Sequence, residues 1–123
     1  MPPKKVKKEN SLFGRAGEDY AVTLLKNRGY QIITRNFRSR FGEIDIIPKD
    51  SETLVFVEVK TRLSRKFGEP EEAVTGQKLF KIQKVGEFFS LTHPTLPKKF
   101  RIDVVAINLE KGKVTSAKII KVD

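Results

Sequence analysis

Three apolar segments rich in β-branched residues follow one another between residues 30 and 60, and they constrain the fold more than any other feature. They are Tyr30–Phe37, Glu43–Ile47 and Leu54–Lys60, and polar turns separate them. β-Branched and aromatic residues favour strands, and clusters of Gly, Asn, Asp and Ser bound them. The sequence therefore predicts three successive strands. The second ends at Pro48 and forms a hairpin with the third.

Helical spacing of apolar residues marks a segment on either side of these strands. Ser11–Arg28 reads as a helix that ends before Gly29, a residue type that suits the position after a helix. A second helix is predicted from about Thr75 to Leu91. Two further strands, Phe100–Leu109 and a more polar Val114–Val122, follow it. The predicted order is one helix, three strands, one helix and two strands.

The chain has 123 residues, which suits one compact domain and is too short for two. Met1–Asn10 is basic and marked by prolines, so the sequence predicts a flexible tail of residues 1–10 before a single domain of residues 11–123. A basic arm that follows phosphates is the alternative interpretation. No apolar run reaches the ~20 residues that span a bilayer, and no signal peptide is evident. We expect a cytoplasmic protein without membrane contact.

Charge and missing residue types narrow the function. Lys and Arg number 25 against 15 Asp and Glu, for a net charge of +10. This excess favours a polyanionic partner, most simply nucleic acid. The absence of cysteine excludes disulfide scaffolds, thiol nucleophiles and zinc–thiolate sites. His93 is the only histidine, which argues against imidazole metal sites and a Ser–His–Asp triad.

The hydrophobic pattern of the second and third strands predicts a register for their hairpin. If Pro48 lies opposite Thr53, Ile44 faces Val57 and one face of the hairpin is apolar. The opposite face then carries four charged residues, which are Glu43, Asp45, Glu58 and Lys60.

Asp45 and Glu58 are diagonal neighbours in this register, at a Cβ separation of ~7–8 Å. Two carboxylates at that spacing can share one cation, and Mg²⁺ takes oxygen ligands and bridges to phosphates. Lys60 on the same face can orient a nucleophilic water, lower its pKa or neutralise developing charge. The pattern favours phosphodiester hydrolysis. Ordinary salt bridges of Lys60 with Glu58 or Asp45 are the alternative.

A set of motifs covers nearly the whole chain, from Gly14 to about Ile107. They are GRAGE (14–18), GY (29–30), RNFR (35–38), GEIDII (42–47), VFVEVKTR (55–62), Phe67-Gly68, Ala73-Val74, Lys78 and RIDVV (101–105). With these motifs the sequence resembles the YraN family. The family is described as predicted endonucleases similar to archaeal Holliday junction resolvases. The resemblance implies an α/β, restriction-endonuclease-like fold with an αβββαβ core, a central mixed sheet flanked by helices, and a PD-(D/E)xK-type site.

The resemblance assigns roles to residues of this sequence. Asp45 and Glu58 match the two metal-binding acids, and Lys60 matches the motif lysine. Glu18 matches an acid that junction resolvases place near the metal. Ile44 stands where the motif has proline, a position that often varies. The implied protein is a Mg²⁺- or Mn²⁺-dependent endonuclease that acts on branched or junction-like DNA as a homodimer.

Basic and polar residues near these positions are the candidates for contacts with nucleic acid. They are Arg62, Arg65 and Lys66 after the third strand, Gln77 and Lys78 at the start of the second helix, and Arg38 and Arg40. We place Glu43 beside the site, paired with Lys60 or Arg62.

The sequence also makes predictions for two pairs of residues outside the site. Arg101 and Asp103 share a face of the fourth strand and can pair with each other. Phe88 and Phe89 on the second helix are expected in the core rather than in a base-stacking platform. Two functions other than a nuclease remain open, a non-catalytic nucleic-acid-binding module and a protein whose basic surface binds an acidic protein.

Overall fold

A mixed β-sheet of five strands organises the molecule, and one helix packs on each of its faces. The computed structural model describes residues 2–62 and 75–122, with side chains from residue 14 onward. The helices are α1 (Pro2–Asn27) and α2 (Gly76–Thr92), and the strands are β1 (Gln31–Ser39), β2 (Gly42–Asp50), β3 (Thr53–Arg62), β4 (Phe100–Glu110) and β5 (Lys113–Lys121). The strands lie in chain order across the sheet. Only β3 and β4 are parallel neighbours.

The predicted fold class and element order are confirmed. The molecule is α/β, and its mixed sheet flanked by helices is consistent with a restriction-endonuclease-like core. α1 begins at Pro2 rather than Ser11, so the helix includes residues that the sequence assigns to a tail. A proline suits a first helical turn, because its missing N–H would have no helical partner there. The division into a tail and a domain stays a prediction.

Within residues 2–62 and 75–122, neither helix combines the length and the apolar character that a bilayer crossing demands. The cytoplasmic location stays a prediction.

The hairpin between β2 and β3 differs from the predicted register. Asp50 pairs with Thr53 across a two-residue turn, and Ile46 pairs with Val57. Ser51 opens the turn with a φ of 54°, in the left-handed region that such tight hairpins require. The hydrophobic pattern has a period of two, so it cannot distinguish registers that differ by two residues. The turn decides the register, and the predicted pairing is wrong by two residues.

Pro48 lies inside β2 and does not end it. It pairs with Ile32 of β1, and the register shifts between Ile32 and Thr34, which makes Ile33 an extra residue. Proline has no N–H to donate to a neighbouring strand, and a bulge is one of the few places in a sheet that tolerate it. The strand therefore continues for two residues beyond Pro48.

Apolar side chains alternate between two clusters, one on each face of the sheet. The cluster under α1 contains Ala21, Leu25, Tyr30, Ile46, Val55, Val57, Val105, Ile107 and Leu109. The cluster under α2 contains Ile44, Ile47, Leu54, Phe56, Ile82, Val85, Phe89 and Ile102. Successive residues of β3 from Leu54 to Val57 enter the two clusters in turn, as strand geometry requires. Both faces of the sheet centre are thus buried, which suits a layered α/β fold.

α2 approaches the sheet closely at Gly86. A Cβ atom at Gly86 would overlap the ring of Phe56, a fully buried side chain. We expect Gly86→Ala to lower the free energy of unfolding by about 1–3 kcal/mol, although alanine favours helix by about 1 kcal/mol over glycine. Urea unfolding measures the change. Gly14→Ala in α1 is the matched control, because nothing lies within 4 Å of its added Cβ. A Gly86→Ala protein as stable as the parent would contradict this packing.

Candidate active site

β2 and β3 separate at Asp45. Within the strands as described, Ile46 with Val57 is the last Cα pair on this side of the hairpin. One residue beyond that pair, the same register sets Asp45 level with Glu58 rather than diagonal to it. The backbone N–H of Val59 donates to Oδ2 of Asp45 at 2.8 Å. A side-chain carboxylate therefore links the two strands at this point.

Strand alternation also changes at Asp45. Ile46 lies in the cluster under α1, whereas Ile44 lies under α2 together with Ile47. Strict alternation would place Ile44 and Ile46 on one face. The prediction that Ile44 shares the apolar face of Val57 is therefore wrong. Asp45 stands at the irregular point between them and is only partly exposed.

Glu58 and Lys60 project from β3 toward α2 and contact each other. Glu58 is 9% exposed, and its Oε2 lies 3.5 Å from Nζ of Lys60 and 2.9 Å from Nζ of Lys78. The start of α2 brings Lys78 there, because the hydroxyl of Thr75 accepts the backbone N–H of Lys78 at 3.2 Å as the helix N-cap. A nearly buried carboxylate is thus paired with two ammonium groups.

α1 places Glu18 in the same region. A Cβ at Gly17 would overlap the hydroxyl of Thr61, so the helix lies directly against the end of β3. The Glu18 carboxylate lies 3.8 Å from Nη2 of Arg35. Burial raises the pKa of Glu18, and a hydrogen bond with Asn36 and the charge of Arg35 oppose that rise. Glu18 in turn contributes to the raised pKa of Asp45.

The titration of Asp45 and Lys60 departs from ordinary values in opposite directions. Burial has the largest effect on the pKa of Asp45, and together with the charge of Glu58 it raises this pKa to about 7. The hydrogen bond from the backbone N–H of Val59 acts in the opposite direction and lowers the pKa. Burial, and then the neighbouring Lys78, lower the pKa of Lys60. Burial also disfavours the charge on Lys78, but contacts with Lys60 and Glu58 outweigh it and raise the pKa of Lys78. Perturbed groups concentrated in one place are typical of functional sites.

The carboxylate oxygens of Asp45 and Glu58 fit a hydrated divalent cation. Asp45 uses Oδ2 and Glu58 uses Oε2 in the contacts above, and the described part of the chain offers no hydrogen bond to Oδ1 or Oε1. Mg²⁺ keeps several waters and needs one or two protein carboxylates. Over the same residues, no group of three or more Asp, Glu, His or Cys is arranged to hold a metal ion. Glu18 is near Asp45 without completing such a group, and its role as a ligand stays a prediction.

The remaining predicted residues are spread around this cluster. Arg38 pairs with Glu43 at 3.1 Å, so the partner of Glu43 is neither Lys60 nor Arg62. Arg40 lies over the ring of Phe41, Arg62 is partly exposed at the end of β3, and Gln77 is exposed on α2. Arg65 and Lys66 lie outside the described residues. Lys78 contacts Glu58, and its contact with phosphate stays a prediction.

Comparison with known proteins places this site in a family. The model of the "Uncharacterised protein family UPF0102" matches residues 17–107. The chain belongs to the UPF0102 family. This is the YraN family, so the resemblance read from the sequence is confirmed. The matched range contains Glu18, Asp45, Glu58, Lys60 and Lys78, the residues that form the site.

Relatives in the UPF0102 family are similar over most of the chain. A UPF0102 protein of Caldicellulosiruptor bescii is 50% identical over 110 residues, which is 88% of this chain and 92% of the relative. One of Persephonella marina is 48% identical over 94 residues, 76% of this chain and 81% of the relative. One of Syntrophus aciditrophicus is 44% identical over 102 residues, 83% of this chain and 80% of the relative. Their names state the family and no activity.

Sequence reasoning missed two residues that hold Glu18. Arg35 and Asn36 belong to the RNFR motif of the family, and they carry the ion pair and the hydrogen bond to Glu18 described above. Asn36 has a φ of 54°, a conformation that asparagine tolerates better than most residues. Asparagine is depleted in strands. An asparagine inside the first predicted strand was the signal that could have found this position.

Proposed function

We propose that the chain is a metal-dependent nuclease that hydrolyses phosphodiester bonds in branched or junction-like DNA. The observation that carries the proposal is the contact of Lys60 and Lys78 with Glu58, beside the half-buried Asp45. Carboxylates and amines gathered where two strands separate are the groups that this reaction needs. The resemblance to junction resolvases supports DNA as the substrate.

Each residue has a part in this proposal. Asp45 and Glu58 hold the divalent cation, Mg²⁺ or Mn²⁺, and Glu18 assists from α1. When bound, the cation supplies a Lewis acid that polarises the phosphoryl oxygen. Lys60 donates hydrogen bonds that position the attacking water and stabilise the negative charge that develops. Lys78 adds a second positive charge beside the same carboxylate.

Selectivity for DNA shape rather than sequence follows from the type of side chains at the site. Lysine and arginine bind phosphates, which position a nucleic acid without identifying its bases. The net charge of +10 favours such contacts over a large surface. A homodimer is part of the proposal, because two copies would present two sites to two strands of a junction.

Cleavage of defined DNA substrates tests the proposal. Purified protein is incubated with four-way junction, flap, single-stranded and duplex DNA, in Mn²⁺ and in EDTA. We expect branched substrates to be cut only with Mn²⁺. Lys60→Ala should reduce the rate by about 10²–10⁴-fold, the usual contribution of a positioned acid–base group. Lys98→Ala, which removes the same charge at an exposed position far along the chain, should leave the rate unchanged. Cleavage that survives Lys60→Ala would point to a contaminating nuclease.

A non-catalytic nucleic-acid-binding module is the second candidate. The observation in its favour is that two ammonium groups, those of Lys60 and Lys78, pair with the carboxylate of Glu58. This candidate expects DNA binding that weakens with salt, no cleavage of any substrate, and no stabilisation by Mn²⁺. The nuclease proposal expects Mn²⁺ to raise the melting temperature, so a thermal scan with and without Mn²⁺ separates the two before any activity is found.

A further inference from the structure

A groove lies between the tip of the β1–β2 hairpin and the second half of α2. We call it the hairpin groove. Its volume is about 560 Å³, within the range of about 300–1,000 Å³ that is typical of ligand clefts. Its lining residues are Arg38, Ser39, Arg40, Phe41, Lys84, Glu87, Phe88 and Leu91. Of these, Arg38 and Arg40 were predicted from the sequence to contact nucleic acid, and Phe88 was predicted in the core.

Two aromatic rings form the wall of the hairpin groove. Phe41 is 41% exposed and Phe88 is 39% exposed, and their ring centroids lie 6.1 Å apart. The sequence predicted both Phe88 and Phe89 in the core. Phe89 is buried, but Phe88 is not, because α2 turns it toward the hairpin tip instead of the sheet. Exposed aromatic side chains rimmed by polar groups mark binding surfaces.

Positive charge surrounds these rings. Arg38, Arg40 and Lys84 line the groove against one carboxylate, that of Glu87. The guanidinium of Arg40 lies 5.1 Å from the centroid of the Phe41 ring. These cationic side chains complement a polyanionic partner better than another basic surface.

Another apolar pocket near the start of α2 provides a comparison. It has a volume of about 430 Å³ and is lined by Gly76, Leu79, Phe80, Gln83, Phe100, Ile102 and Val122. It holds aromatic rings but no charged side chain. The hairpin groove has three cationic side chains among its lining residues and the other pocket has none, although Nζ of Lys84 also lies 5.5 Å from the centroid of the Phe80 ring. Unpaired nucleotides match the combination of rings and cations in the hairpin groove, since each has a flat base and a negative phosphate.

We propose that the hairpin groove binds an unpaired nucleotide of a single-stranded nucleic-acid segment. Its base stacks on Phe88 and Phe41, and Arg40 and Lys84 contact the adjoining phosphates. Glu87 is placed to accept hydrogen bonds from the base edge. In the nuclease context this inference rests on the proposed function, and it names the substrate feature that the site recognises.

β2 runs from the hairpin groove to the candidate active site. Arg38 in the groove pairs with Glu43, and Glu43 precedes Asp45 by two residues in β2. Phe41 precedes Asp45 by four residues, about 13 Å along an extended chain. A strand whose phosphate lies at Asp45 can therefore place an unpaired base in the groove a few nucleotides away. Duplex DNA offers no such base, so the groove would favour branched and frayed substrates.

Fluorescence anisotropy with a labelled oligothymidine tests the groove, in EDTA so that no cleavage occurs. We expect Phe88→Ala to weaken binding by about 5- to 50-fold, the effect of losing one stacked base. Phe88→Trp should restore binding, because tryptophan also stacks. Phe100→Ala in the uncharged pocket is the matched control and should leave affinity unchanged. Binding of an abasic oligomer of equal length should be the same for Phe88→Ala and the parent.

The outcomes separate the groove from the proposed nuclease. Loss of oligothymidine binding in Phe88→Ala supports the groove even if the parent protein cuts nothing. Unchanged binding in Phe88→Ala overturns the groove even if the parent cuts branched DNA. Equal weakening for the abasic oligomer also overturns it, because phosphates alone would explain the contact. A parent dimer that Phe88→Ala converts to a monomer in sedimentation would assign the groove to a second copy instead.

Discussion

Asp45→Asn is expected to lower the rate of DNA cleavage by about 10³-fold and, at the same time, to stabilise the metal-free protein. Asparagine keeps an oxygen that can accept the N–H of Val59, so the link between β2 and β3 is retained. The substitution removes the negative charge with which Asp45 would bind a cation. A melting-temperature rise caused by Mn²⁺ in the parent should therefore vanish in Asp45→Asn.

The sign of the stability change follows from the pKa of Asp45. Burial and Glu58 raise this pKa from 3.8 to about 7, so the ionised carboxyl destabilises the folded state. Below the ordinary pKa the group is protonated in both states and costs nothing. The cost grows as the pH rises and is complete above the folded pKa. In EDTA, Asp45→Asn should raise the free energy of unfolding by about 1–3 kcal/mol at pH 8 and by little at pH 4.

Urea unfolding in EDTA at the two pH values measures this change. Glu52→Gln, at an exposed position in the β2–β3 turn, removes the same charge and should alter stability little at either pH. A destabilised Asp45→Asn protein at pH 8 would mean that the carboxylate supports the fold. Full cleavage by a stable Asp45→Asn protein would remove Asp45 from the reaction.

Arg101→Met is expected to destabilise the protein by about 3–5 kcal/mol at pH 7. Asp103 is fully buried, and Arg101 binds it through Nε at 2.9 Å and Nη2 at 3.3 Å. The hydroxyl of Tyr30 donates to Asp103 at 3.2 Å and accepts from Arg101 at 2.6 Å. Arg101 also donates to Asp50 at 3.0 Å. Removing Arg101 leaves the charge of Asp103 buried and unpaired.

A double-mutant cycle tests the origin of that loss. Arg101→Met with Asp103→Asn should recover part of the stability lost by Arg101→Met alone, because the second change removes the orphaned charge. Urea unfolding of the four proteins measures the coupling. If the stability losses of the two single variants simply add in the double variant, Arg101 stabilises the fold through the aliphatic part of its side chain and not through its ion pair with Asp103. The pair joins β4 to Tyr30, just before β1, and to Asp50 at the end of β2. Lys60 lies near the other end of β3, so folded variants should keep any cleavage activity.

Much of the fold could be predicted because it depends on local sequence. The spacing of apolar residues placed both helices, and β-branched runs placed β3 and β4. Gly29 ends α1 in the left-handed conformation with a φ of 89°, as its position predicted. The pairing of Arg101 with Asp103 was also predicted and is confirmed, because residues two apart in a strand share a face.

The errors arise where distant segments meet. The predicted β2–β3 register slipped by two residues, since the turn and not the hydrophobic pattern decides between equivalent pairings, and it also placed Ile44 on the wrong face. Phe88 was expected in the core because aromatic residues on an amphipathic helix usually are. Whether such a residue is buried depends on which face of the helix meets the sheet, and Phe88 faces the hairpin tip whereas Phe89 faces the core.

The sequence by itself determined the order of the elements, the family and the charged residues Asp45, Glu58 and Lys60 on neighbouring strands. Hydrophobic periodicity, turn-forming residues and sequence motifs are properties of short segments, so they can be recognised in the sequence. Only the tertiary structure decided that Asp45 lies level with Glu58 and that Lys78 crosses from α2 to the same carboxylate. Those contacts depend on strand register and on helix placement against the sheet, which many weak long-range interactions set together.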